Sequence, residues 1–149
     1  MRLTIYTDYA LRALIYLGVN GDRLCSIGAI ADSYGISKNH LMKIVVELSS
    51  KGYVESVRGH GGGIRLAKPA KQIVIGDVVR LTESDMFLVG CFDAAGPKCR
   101  ISPECKLRSV LADALRAFMK VLDSYTLADV LAQEGSLRRL LGVEIVARG

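Results

Sequence analysis

Nowhere in this 149-residue chain does an apolar run approach the roughly 20 residues that a membrane span requires. Met1 to Tyr9 carry charges and hydroxyls rather than a basic stretch followed by an apolar one, so no secretory signal is read there and a cytoplasmic location is expected. In that compartment four cysteines read as thiols available to a metal or to redox chemistry, not as two disulfides. Histidine is scarce, at two residues. There is also no glycine-rich dinucleotide fingerprint and no recognisable pair of catalytic carboxylates, so the chain is not read as an enzyme. Internal repeats and low-complexity tracts are absent. A composition of 50% hydrophobic and 23% charged residues points instead to a folded globular protein with a real core.

The net charge of +5 is unevenly placed. Residues 1–35 carry three Arg against three Asp, and residues 72–149 carry ten basic against ten acidic side chains. The whole excess lies between Ile36 and Lys71, where seven basic residues face only Glu47 and Glu55. A segment of that kind attracts a phosphate backbone, although charge alone is equally that of a solvated basic face.

The hydrophobic pattern places this basic segment on a specific scaffold. Asp8 to Leu17 reads as an amphipathic helix capped by Thr7 or Asp8 and ended by Gly18. Ser26 caps a short second helix that Tyr34-Gly35 breaks, and Ser37 opens a third through Leu41, Ile44, Val45 and Leu48 to Lys51-Gly52. Two short helices joined by a glycine turn form a helix-turn-helix. Tyr53 to Arg58 then alternates as a strand, Gly59 to Gly63 turns, and Ile64 to Leu66 returns, which makes a hairpin wing. The expected fold class is mainly α with a small β-hairpin wing: a winged helix-turn-helix at 1–82, a loop at 83–105, and a long helix with a C-terminal tail at 106–149.

In such a unit the start of the second helix of the motif enters the major groove of duplex DNA. Ser37, Lys38, Asn39, His40 and Lys43 are the side chains so placed. Asn pairs two-pronged with adenine and Lys donates to guanine, whereas Ser and His more often hold phosphate. From the wing, Arg58, His60 and Arg65 are positioned for sugar-phosphate or minor-groove contacts. Taken singly, each is equally an ordinary solvent-facing group.

Cys91, Cys99 and Cys105 stand in a C-x7-C-x5-C arrangement within an irregular loop running from Leu88 to Cys105. Thiolate donors without nearby histidine suit iron–sulfur or zinc, and spacing does not choose between them or against three unrelated surface thiols. A four-iron cluster or tetrahedral zinc needs a fourth ligand. Asp8 from a second subunit is the candidate, with helix capping as its other role. Cys25 reads as a small buried apolar residue. After the loop, Leu107, Leu111, Leu115, Phe118, Leu122 and Tyr125 recur along a helix from about Lys106 to Ser124, with Val110, Ala114, Met119 and Val121 widening the stripe. Burial against a second copy is expected, packing onto its own domain being the alternative.

Four stretches carry a resemblance over nearly the whole chain: MRLT-x2-TDYALRALIYL, YGISKNHLMKIVVELS-x2-GYVESVRG, GGIRLAKPA-x4-IGDVVR and LDSYTLADVL. The chain resembles the winged-helix iron–sulfur transcription regulators, and YGISKNHLMKIV and SYTLADVL resemble the nitric-oxide-sensing repressors among them. The three-cysteine loop falls where that family has its own. The resemblance implies a homodimer on a palindromic operator in double-stranded DNA, holding a 4Fe–4S cluster or, alternatively, a 2Fe–2S one. It further implies repression while the cluster is intact and release of DNA when nitric oxide reacts with it. An iron-responsive role within the same family is the other implication.

Overall fold

The computed structural model describes residues 2–143, so the last part of the 106–149 segment, 144–149, lies outside the described residues. Helix α1 spans Ile5–Asn20 and starts one turn earlier than the sequence pattern suggests. Its cap is Thr4, whose hydroxyl accepts the Thr7 N–H at 3.3 Å. Thr7, one of the two expected caps, is instead fully buried in the first turn, and Asp8 lies within the helix. The helix also runs past Gly18 to Gly21, which adopts φ 60°. A Cβ at Gly18 would stand 2.5 Å from a terminal methyl of Leu131, which packs over that position.

Helices α2 (Ile27–Tyr34) and α3 (Lys38–Ser50) follow the pattern closely. Ser26 and Ser37 cap them through their hydroxyls, and Gly35 makes the left-handed turn between them at φ 63°. The wing is β1 (Val54–Val57) paired antiparallel with β2 (Gly63–Leu66), with Val54 opposite Leu66. A further bridge joins Ile64 to Cys25, whose backbones exchange two hydrogen bonds of 2.8 Å. Cys25 is therefore buried, as expected, and its backbone ties the wing to the connection before α2.

Beyond the wing come a 3₁₀ turn at Ala70–Gln72, helix α4 (Ile75–Thr82), the cysteine loop and helix α5 (Lys106–Asp123). Two short helices close the described chain, α6 (Leu127–Val130) and α7 (Glu134–Leu140). They turn back onto the N-terminal half. Leu127 is 1% exposed within the same cluster as Leu14, Leu17, Ile30, Leu41, Ile44 and Leu48. Its N–H donates to the Ile73 carbonyl at 2.8 Å, and the Ser33 hydroxyl on α2 donates to the Leu141 carbonyl at 3.0 Å. The end of α5 is held to α4 by Arg80, which grips Asp123 with two hydrogen bonds of 2.8 and 2.6 Å. By contrast, no residue of α5 itself is buried. Among the described residues, no helix is long and apolar enough to cross a membrane.

Candidate nucleic-acid interface and cysteine loop

Burying Leu41, Ile44, Val45 and Leu48 turns the opposite side of α3 outward, so Lys38, Asn39, His40 and Lys43 are all exposed. Ser37 is exposed too, but its hydroxyl is engaged as the helix cap, accepting the His40 N–H at 3.4 Å. His40 lies against Tyr9 of α1, ring centroids 6.4 Å apart. Together with Ile5, Tyr6, Lys43 and Ile44 these rings line a small cavity of about 210 Å³ at the α1–α3 junction. Deeper in that junction the Tyr6 hydroxyl donates to Glu47 at 2.5 Å. Burial, reinforced by the Glu47 carboxylate, pushes the Tyr6 phenol up to about 12.

In the wing, Arg58 and His60 are exposed beside the glycine turn. Gly59 and Gly61 take φ values of 100° and 73°, and a Cβ on Gly62 would stand 2.3 Å from the Val57 carbonyl oxygen, so this tight turn needs its glycines. Arg65 is differently placed. It sits opposite Glu55 on the neighbouring strand and donates to that carboxylate at 2.9 Å, which lowers the Glu55 carboxyl below its usual value. A DNA phosphate would have to compete with Glu55 for this guanidinium. Among the described residues, Lys38, Lys43, Lys51 and Arg58 form no ion pair, and their charge stays available.

The cysteine loop has little regular structure, only 3₁₀ turns at Gly90–Phe92 and Ser102–Glu104. Its backbone hydrogen bonds join residues three apart, such as Asp93 N–H to Gly90 and Ser102 N–H to Cys99. Cys91 and Cys99 line one open cavity of about 410 Å³ together with Asp93, Ser102 and Arg108. Cys105 opens onto the adjoining one of about 770 Å³, where Ser102, Pro103 and Arg108 form the shared edge. Cys105 also caps α5, its sulfur accepting the Arg108 N–H at 3.4 Å. That places one thiol at a helix N-terminus. All three are free cysteines, Cys99 exposed and the others half-buried. The donor chemistry fits a soft metal centre, since the loop offers thiols and no imidazole. Among the described residues, however, no group of three Cys, His, Asp or Glu side chains stands close enough to hold a metal ion. Asp8 is remote from the loop in sequence and is held by Arg12, whose guanidinium donates to both carboxylate oxygens at 3.0 and 2.8 Å.

The family model for Rrf2, iron-dependent transcriptional regulators, matches residues 3–133. This chain belongs to the Rrf2 family. Its match takes in the helix-turn-helix, the wing, the cysteine loop and α5, so the winged-helix reading and the exclusion of an enzyme both stand. The HTH-type transcriptional regulator NsrR of Bacillus licheniformis is 52% identical over 95% of this chain and 99% of its own length. NsrR of Bacillus subtilis is 51% identical over 95% and 97%. Two solved Rrf2-type structures superpose well. The IscR of T. potens does so with TM-score 0.71 at 29% identity, covering 89% of this chain and 88% of its own. CymR, the global cysteine regulator of B. subtilis, gives 0.73 at 26% identity, covering 89% and 98%. The protein is a transcription regulator, and DNA is its partner.

Proposed function

We propose that this regulator is a homodimeric repressor that holds an iron–sulfur cluster and releases operator DNA in response to nitric oxide. The observation that carries the reading is the position of the thiols: Cys91, Cys99 and Cys105 occupy the loop between α4, at the base of the DNA-binding unit, and α5, whose apolar surface is open. Near-full-length relatives named NsrR support the nitric oxide signal. Cys91, Cys99 and Cys105 would hold the cluster, with Asp8 of a second subunit proposed as the remaining donor. When bound, such a centre supplies iron sites that react with nitric oxide.

The chain's own residues provide the coupling. Cys105 is the cap of α5, so ligation there bears on the start of that helix. Asp8 sits on α1, one residue before Tyr9, which rests on His40 of α3. Drawing Asp8 away from Arg12 would therefore bear on the helix that reads DNA. On the surface of α5, Leu107, Val110, Ala114, Ala117 and Val121 recur at alternating intervals of three and four, with Leu107 63%, Val110 50% and Val121 57% exposed. That is the spacing of a helix–helix seam, and it supports a second copy of this chain as the occupant. For DNA, Lys38, Asn39, His40 and Lys43 are proposed to face the major groove, Ser37 to cap the helix that carries them, and Arg58, His60 and Arg65 to contact backbone or minor groove.

The test is duplex selection from a randomised library by the full chain purified without oxygen, followed by titration of the recovered complex with nitric oxide. DNA release is expected to track loss of the visible cluster absorbance. Binding that persists after the cluster has reacted refutes the nitric oxide reading. The family's iron dependence favours a second reading, response to iron supply. Release on iron chelation with no response to nitric oxide would establish it.

A further inference from the structure

Four apolar side chains of α3 serve the core, but two others point the opposite way. Val46 is 70% exposed and Met42 47% exposed. At about 100° per residue, Asn39, Met42, Lys43 and Val46 fall within roughly 100° of arc, on the outward face. The sole carboxylate of the helix, Glu47, is turned from that face and held half-buried by the Tyr6 hydroxyl at 2.5 Å. What remains outside is an aliphatic strip framed by Lys38 and Lys43, with no acidic group on it. Exposed aliphatic surface inside a cationic frame complements a polyanion that itself displays apolar points.

We infer that Met42 and Val46 are base-reading residues that pack on the C5-methyl groups of thymines. This rests on the proposed insertion of α3 into the major groove. The thymine methyl is the apolar feature of a major-groove edge, and a Glu or Asp, which would select the cytosine amino group, is missing from the strip. The dimensions agree. From Asn39 to Val46 the helix rises about 10 Å, roughly three base steps of 3.4 Å. Asn39, suited to adenine, and the two methyl readers therefore address a single A·T-rich element in each half-site.

The experiment uses duplexes selected by the anaerobically purified full chain from a randomised library of about 30 base pairs, long enough for two half-sites a helical turn apart. Each thymine of the recovered duplex is replaced in turn by deoxyuridine, which removes the methyl and nothing else. At one or two thymines per half-site the wild-type protein is expected to bind about fourfold more weakly, the factor that corresponds to one buried methyl-sized group. Met42→Ala and Val46→Ala are each expected to lose that sensitivity at one of these thymines while keeping it at the other. The inference is overturned if no deoxyuridine substitution weakens wild-type binding, or if the double variant keeps the full sensitivity. Failure to select any duplex would overturn the DNA-reading assignment of α3 itself, a distinguishable result. Alanine at an exposed helical position raises helix propensity, so an unchanged or higher unfolding midpoint is expected for Val46→Ala. Val46→Ser, which removes both methyl groups, supplies the same comparison should that midpoint fall.

Discussion

Gly63→Ala isolates the attachment of the wing. At Gly63 the backbone φ is not positive, so alanine meets no conformational penalty there; the obstacle is steric. An added Cβ would lie 2.8 Å from the Cys25 carbonyl oxygen and 3.2 Å from the Cys25 carbonyl carbon and nitrogen, all of them backbone atoms that cannot swing aside. The strand and the Cys25 segment must separate by several tenths of an ångström. The groups that feel it first are the two 2.8 Å hydrogen bonds exchanged by Cys25 and Ile64. With each backbone hydrogen bond worth about 1 kcal/mol net, their loss costs about 2 kcal/mol. In a chain of this size that lowers the midpoint of thermal unfolding by roughly 4–8 °C. Amide hydrogen exchange gives the local readout, with protection at Cys25 and Ile64 falling while the α2 and α3 amides keep theirs. Gly61→Ala is the comparison. It has open space around it but a φ of 73°, so it should cost about 1 kcal/mol through backbone strain and leave the Cys25–Ile64 protection intact. A Gly63→Ala protein with unchanged midpoint and unchanged exchange at both amides would refute the argument that this contact holds the wing.

Leu127→Ala, although it follows the long helix in sequence, should destabilise the N-terminal unit by about 2–5 kcal/mol, because Leu127 is 1% exposed within that core. Leu140→Ala, at 81% exposure, should change stability by less than about 0.5 kcal/mol, and chemical denaturation of the two variants checks both. A Val110→Glu/Val121→Glu variant places charge on the open face of α5 and should sediment as a monomer at concentrations where the wild type is expected to sediment as the proposed dimer, with its helical content unchanged. Burial and the Glu47 hydrogen bond raise the Tyr6 phenol from its ordinary 10 to about 12, so its neutral form is the one favoured by folding. The stability this contributes is complete below pH 10 and is lost as pH rises through about 12. An ultraviolet phenolate titration of wild type minus Tyr6→Phe should show a group titrating near that upper value.

Much of the architecture was written locally. Ser26 and Ser37 are caps because their hydroxyls satisfy the first free N–H groups of the helix each precedes, and Gly35 is a turn because a Cβ disfavours its φ. The same applies to the alternation of Val54–Val57 and to the glycines of the wing turn. These are properties of a few neighbouring residues, legible without the rest of the chain. The basic segment was equally legible as a candidate DNA surface, since charge sums along a sequence. So was the cysteine loop as a candidate metal centre, since three thiols without histidine limit the chemistry.

Contacts between distant segments were not legible. Gly18 reads as a helix terminus until Leu131 closes against it, and Thr4 rather than Thr7 or Asp8 proves to be the cap because Thr7 is needed in the core. Arg65 reads as a free cation until the hairpin register sets it opposite Glu55. Met42 and Val46 have no role in the sequence pattern of that helix, which runs through Leu41, Ile44, Val45 and Leu48. Only the packing of the opposite face against α1 and α2 leaves them outside, and only the long-range Tyr6–Glu47 bond clears the carboxylate from beside them. The sequence by itself determined the helix-turn-helix, the wing and the chemical character of the loop, because those follow from backbone preference, periodicity and residue type. The tertiary structure decided which charges are free, which apolar groups face solvent and how the segment beyond α5 returns to the core, because each of those depends on what the folded chain brings alongside.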